Sequence, residues 1–285
     1  MLENVVAQRN HLLDIVVVDS STDDETNKVV AQFSQLGVAY IRSKPGLPRQ
    51  RNEGIAHLRL HSANSEIYSF LDDDVVIPDG YFENVWNEFK SLPEAASISG
   101  FDLSLTETKQ TIFHRMFGLR ARNDNGRILK SGVAIPVYDP VGNVLVDWAP
   151  GHSLNVRKST FEIATFDSRI RMYGEDVDFC LRASQAGELF IAESLGVWHR
   201  PESLGRDSAL DSEAYNAGFR YELSKLWPGK VSTGWVLWSS LTLAVSYFII
   251  GVVKMDGLRI RKSLGLGKFF WRLFLRKQVT QSHEL

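Results

Sequence analysis

Three consecutive aspartates, Asp72-Asp73-Asp74, follow the apolar run Ile67–Leu71. If the backbone stays extended there, side chains two apart share a side, so Asp72 and Asp74 converge while Asp73 points away. Paired carboxylates repel unless a cation joins them, and hard divalent ions such as Mg²⁺ or Mn²⁺ favour oxygen ligands. The plainer reading is a solvated turn leading into a helix at Pro78, where acids favour the helix dipole. Gly174-Glu175-Asp176, with Asp178 beyond, opens a second helical pattern, and capping is the plain role for acids at a helix start. Trp198-His199-Arg200-Pro201 puts a histidine at a strand end, where a structural role competes with metal ligation. Arg49, Arg51 and Asn52 suit either phosphate oxygens or a solvated helix face.

The elements that must position these residues read as α/β. The β-branched run Ile15–Val18 ends at Asp19 and a polar turn, Ser20–Asp24. A helical stretch to about Leu36, a strand Val38–Ile41, a helix Arg49–His61 and the strand Ile67–Leu71 follow. That rhythm predicts a largely parallel sheet flanked by helices, whose ligands gather at the carboxyl ends of strands. Asp19 and the aspartate triplet both sit at such ends. Short strands punctuated by Gly and Pro are expected from Ser97 to about Asn155, with a helix near Thr111–Arg120. Further short strands are expected at Leu189–Ile191 and Gly196–Trp198, then a helix over 211–226.

The chain has 285 residues, 44% apolar and 23% charged, with a net charge of −2. Such a composition excludes a disordered, collagen-like or disulfide-stapled chain, and the single Cys180 forms no internal disulfide. The charge is unevenly spread. Residues 254–285 hold eight Lys/Arg against two acids, which leaves 24 against 32 before them. The balance argues against a nucleic-acid partner, and the basic tail suits a membrane surface. Val231–Val253 runs 23 residues without a charge, long enough to span a bilayer, although serines and threonines dilute it. A single span from a cytoplasmic domain would export the basic tail, against the positive-inside tendency. An in-plane or re-entrant helix, peripheral or monotopic on the cytoplasmic side of the membrane, avoids that conflict. The expected division is therefore 1–228 for a catalytic domain and 229–285 for a membrane-associating helical tail.

In order along the chain, these features resemble the family 2 glycosyltransferases of the GT-A fold. The residues concerned are Asp19, Arg51-Asn52-x-Gly54, Asp72-Asp73-Asp74, Gly151-x-x-Leu-x-x-Arg157, Phe166-Asp167, Gly174-Glu175-Asp176 and His199. They cover about residues 1–225. The resemblance implies that Asp19, Asp23, Arg51, Asp72 and Asp73 contact a nucleotide-sugar donor. It implies that Asp74 and His199 hold Mn²⁺ or Mg²⁺ and that Asp176 is the catalytic base. Trp148, Gly151, His152 and Glu175 would line the acceptor side, for a glycan or lipid-linked acceptor such as a bacterial cell-surface polysaccharide precursor. The implied reaction is a single inverting displacement. Family members normally begin with an apolar strand and a proline-containing turn, whereas Met1–Gln8 already resembles the helix that follows, so a truncated start is expected. Two other readings compete. Leu71–Val76 formally fits the nucleophile motif of a haloacid dehalogenase-type phosphatase, and a glycosyltransferase-like binding protein without activity would carry the same fold.

Overall fold

The computed structural model describes residues 1–8, 14–107, 110–170, 173–200 and 209–282. In chain order the elements are α1 (Leu2–Ala7), β1 (Ile15–Asp19), α2 (Glu25–Ala31), β2 (Val38–Arg42), α3 (Leu47–His61), β3 (Ile67–Leu71), β4 (Val75–Val76), α4 (Tyr81–Ser91) and β5 (Ala95–Asp102). They continue with α5 (Ile112–Met116), β6 (Asn143–Leu145), β7 (Ser153–Arg157), α6 (Glu175–Ala183), β8 (Glu188–His199), α7 (Ala209–Leu226), α8 (Thr233–Val253) and α9 (Gly257–Ser282).

Two compact units divide the chain. One comprises Met1–Glu107 with Pro136–Glu202, the other Thr108–Ile135 with Ser203–Leu285. The second unit thus joins a mid-chain segment to the C-terminal helices. The expected helix near 111–120 is the single turn-and-a-half of α5, which ends before Gly118, a left-handed residue at φ 70°.

In the first unit β1 and β2 pair in parallel, and six strands form a second sheet in the order β3-β7-β5-β8-β4, with β6 also on β8. The expectation of a mostly parallel sheet needs correction. β5 and β8 are parallel, but β7 lies antiparallel to β3 and β5, and β4 and β6 lie antiparallel to β8. A strand that returns antiparallel needs no crossover helix, so the repeating strand–helix rhythm of the first seventy residues does not continue.

Apolar side chains leave both faces of this sheet. Tyr68, Leu154, Val156 and Ile191 pack with Ile55 of α3 and Phe179 of α6 in one cluster. Ile98, Leu195 and Val197 pack with Val5 of α1 and Tyr81, Val85 and Phe89 of α4 in the other. β8 is one strand where the sequence suggested two. Against β5, Ser99 pairs with Ile191 but Phe101 pairs with Gly196, so β8 carries extra residues between them. The bulge changes the parity of alternation, and Phe190 and Ala192 before it join the same cluster as Leu195 and Val197 after it. Gly100 opposite has no room for a side chain, since a Cβ there would lie 2.3 Å from the Leu195 carbonyl oxygen.

In the second unit α7, α8 and α9 pack around Ala214, Ala217, Leu266 and Phe269. α8 is long and apolar enough to cross a membrane, and little of it is buried inside the protein.

Candidate active site

Register brings the acidic motif and the histidine together. β4 pairs with β8 so that Val75 faces His199, and the Arg200 amide donates to the Asp74 carbonyl oxygen at 3.0 Å. His199 Nε2 then lies 3.3 Å from Asp74 Oδ1. The Asp72–Asp74 segment itself is a turn, closed by the Val75 amide donating to the Asp72 carbonyl, and not the extended backbone expected. The convergence of Asp72 and Asp74 therefore comes from a turn between β3 and β4, while Asp73 is exposed. One ligand atom each from Asp72, Asp74 and His199 lies within 4.8 Å of the other two, a group able to hold a metal ion. The donor set of two carboxylates and an imidazole suits Mn²⁺ or Mg²⁺. Asp74 Oδ1 is buried without a well-directed hydrogen bond, an orphan that a cation would satisfy.

β7 and β5 complete this end of the sheet. Leu71 faces Ser153, so Asp72 meets His152, whose carbonyl oxygen accepts from the Asp72 amide. The His152 ring stacks on that of His199 with centroids 4.5 Å apart. Burial, together with His199, pushes His152 down to about 4, so the ring is neutral at physiological pH. Asp102, at the end of β5, accepts from the His199 amide at 3.4 Å and from Ser104. Burial raises its carboxyl, but the Ser104 and His199 bonds outweigh it and hold the group below the usual carboxylate range. Sequence reading missed Asp102. It ends a strand just as Asp19 and Asp72 do, a signal obscured because β5 was not delimited.

α3 and α6 supply the floor. Arg51 is buried, with one guanidinium nitrogen 3.4 Å from Asp72 and the other 3.3 Å from Glu175, and its plane lies over the Phe166 ring. Asn52 clamps the Phe166 backbone, donating to its carbonyl and accepting from its amide. Arg51 is thus committed to partners inside the protein, and Glu175 faces inward to it. Asp176, in the first turn of α6, accepts from the Val177 amide at 2.8 Å and the Gly151 amide at 3.3 Å. Burial, reinforced by the Glu175 charge, pushes Asp176 up to about 7. A carboxyl so placed matches the operating pH of a general base. Trp148 is half-buried against the core beside Ala149.

Gly151 explains the first residue of its motif. A Cβ there would sit 2.5–2.9 Å from the Arg51 guanidinium, which is pinned by Asp72, Glu175 and Phe166 and cannot swing aside. Gly151→Ala should therefore cost about 1–3 kcal/mol, the usual range for overpacking. Chemical denaturation checks this, and an unchanged midpoint would mean that Arg51 is free to move.

Asp19 lies apart, at the end of β1. Its carboxylate accepts from the Ser21 amide and hydroxyl, from Tyr40 and from Arg42. Burial raises this carboxyl, but those donors prevail and hold it below its usual range. Arg42 also donates to the Ser21 and Asp23 carbonyls and reaches Asp24, while Asp23 accepts from the Glu25 amide at the surface.

Residues 1–143, half of the chain, match the family model described as glycosyl transferase family 2. The chain belongs to glycosyl transferase family 2. Over 113 residues this family 2 chain is 34% identical to the N-acetylglucosaminyl-diphospho-decaprenol L-rhamnosyltransferase of Mycobacterium tuberculosis H37Rv, covering 38% of this chain but only 35% of that protein. It is 26% identical over 205 residues to rhamnosyltransferase WbbL of Escherichia coli K12, covering 66% of this chain and 72% of that one. Among solved structures it resembles the mannosyltransferase PcManGT from Pyrobaculum calidifontis, in complex with GDP-Man and Mn²⁺. The TM-score is 0.55 at 14% identity, over 95% of this chain and 82% of that chain. GalNAc-T7 with UDP, GalNAc and Mn²⁺ gives a TM-score of 0.52 at 14% identity, over 88% of this chain and 54% of its own. At such identity the likeness establishes the fold, which is GT-A.

Proposed function

We propose that this chain moves a sugar, with rhamnose the first to be tried, from a nucleoside diphosphate donor to a hydroxyl of a glycan or lipid-linked acceptor, inverting the anomeric centre. The observation that carries this reading is the convergence of Asp72, Asp74 and His199 at one sheet end, linked through Arg51 and Glu175 to the perturbed carboxyl Asp176. The two rhamnosyltransferase relatives, one named for a decaprenol-linked substrate, support the sugar and the lipid-linked acceptor.

Asp176 takes the proton of the acceptor hydroxyl as that oxygen bonds to the anomeric carbon and the bond from that carbon to the diphosphate breaks. The Gly151 and Val177 amides hold Asp176 in place, and the Glu175 charge helps to raise its carboxyl. Asp74 and His199, with Asp72, would hold a divalent ion, which would supply positive charge for the diphosphate oxygens. Arg51 sets the direction of Asp72 from below, which keeps two acids from repelling each other out of the site. Asp19, with Asp23 nearby, faces the nucleobase, Asp72 and exposed Asp73 the donor, and Trp148, Gly151 and His152 the acceptor. Attachment to the cytoplasmic face of the membrane, where nucleotide sugars are made, fits the apolar α8.

A panel of nucleotide sugars tested by thermal shift with Mn²⁺, followed by mass spectrometry of a polyprenyl-diphosphate acceptor, tests the proposal. The expected result is a rise in Tm for one donor, dependent on the metal, and a mass increase of one sugar. Failure of every donor to bind, or a phospho-aspartate trapped at Asp72, would overturn it.

A further inference from the structure

The second unit carries a surface that the reaction does not use. Trp235, Trp238, Leu241, Val245, Phe248 and Ile249 of α8 recur at helical spacing and are all exposed. The opposite face of α8 is engaged with α7 and α9, through Leu237, Leu243 and Tyr247 and through buried polar groups. Arg220 of α7, itself 8% exposed, donates to the Ser239 and Ser240 hydroxyls. Ser263 of α9 donates to the Ala244 carbonyl at the middle of α8, and beside it Lys262 pairs with Glu213 of α7 at 3.5 Å. α5 joins the outer face. The Trp238 indole N–H donates to the Met116 carbonyl, and Gly118 lies against the Trp235 ring. This leaves Ile112, Phe113 and Met116 more than half exposed.

We propose that α8 lies in the plane of an anionic lipid surface, with the 112–116 turn inserted beside it, and does not span the bilayer. This deepens the membrane attachment in the functional reading and rests on it. A spanning α8 would carry Arg220 and the Glu213–Lys262 pair into hydrocarbon, because these groups pack along its midsection, and buried charges there are costly. Lying flat, the outer face enters the acyl region while α7 and α9 roof the opposite face. Charge identifies the occupant. Residues 254–275 hold six Lys/Arg against one acid, and Arg261 and Arg272 are exposed on α9. That complements phosphatidylglycerol-type headgroups, whereas the same basic segment of a second copy would repel it.

The test uses the full chain and sealed vesicles of equal parts phosphatidylcholine and phosphatidylglycerol. Flotation should show binding, weakened about tenfold or more by Ile112→Ser, Phe113→Ser and Met116→Ser together. Arg261→Glu with Arg272→Glu should remove the preference over pure phosphatidylcholine. Cysteines at Gly229→Cys and Lys254→Cys flank α8, and native Cys180 is buried. Both should react with an impermeant maleimide added outside intact vesicles. Protection of either until detergent is added would mean a span and overturn the proposal. So would absence of vesicle binding, indifference to the triple serine variant, or a stable dimer in solution that hides these side chains. Nucleotide-sugar binding measured without vesicles reports on the catalytic reading separately, so the two can fail independently.

Discussion

Asp74→Ala should abolish metal-dependent binding of the nucleotide sugar, lowering affinity in Mn²⁺ to the level seen in chelator. Asp74 carries a buried oxygen with no well-directed hydrogen bond, lies 3.3 Å from His199 and is one of three groups gathered in this cluster among the described residues. Octahedral ions of this kind hold most of their affinity in a few charged oxygens, so losing one of two carboxylates removes the site and not merely a contact. The loss should appear in titration calorimetry with the nucleoside diphosphate and Mn²⁺, and turnover should vanish with it. Fold stability should not fall, because the variant relieves a half-buried carboxylate whose one ion-pair partner among the described residues is a histidine. If Asp74→Ala binds Mn²⁺ and nucleotide as the parent does, the cluster of Asp72, Asp74 and His199 is not the metal site.

Asp176→Asn should behave in the opposite way. It keeps size and one of the two bonds from the Gly151 and Val177 amides, which reach different oxygens of Asp176, but cannot accept a proton. Turnover should fall by roughly 10²–10⁴, the usual worth of a general base, with nucleotide binding nearly intact. In the parent, kcat/KM should rise with pH through about 7, since the carboxyl must be ionised to act. Stability should show the complementary trend. A carboxyl raised above its unfolded value of about 4 favours the protonated fold, so its contribution is present at low pH and lost as pH rises through about 7. Asp176→Asn should therefore gain more Tm over the parent at pH 8 than at pH 5. Near-parent transfer by this variant, or nucleotide binding lost as fully as in Asp74→Ala, would show that the two acidic motifs do not divide the work this way.

These two residues also show how much of the site a sequence carries. Asp74 and Asp176 are recognisable one at a time because strand-end and helix-start patterns are local, and β1, β2, α3 and β3 follow directly from their apolar runs and breakers. The long uncharged segment of α8 is equally plain. What those patterns leave open is every relation across distance. His199 meets Asp74 only because β4 pairs with β8 in one register, and a shift by one residue would turn either side chain to the other face. Asp102 enters the site by the same parallel pairing of β5 with β8, whose bulge no local alternation reveals. Arg51 and Glu175, 124 positions apart, become a buried pair because α3 and α6 cover the same side of the sheet, a contact that no local pattern announces. The chemical types at this site and the elements that bear them were thus settled by the sequence. Their partners, their burial and the upward shift of Asp176 were decided by tertiary packing, since field, dielectric and register belong to neighbours that the chain brings together only when folded.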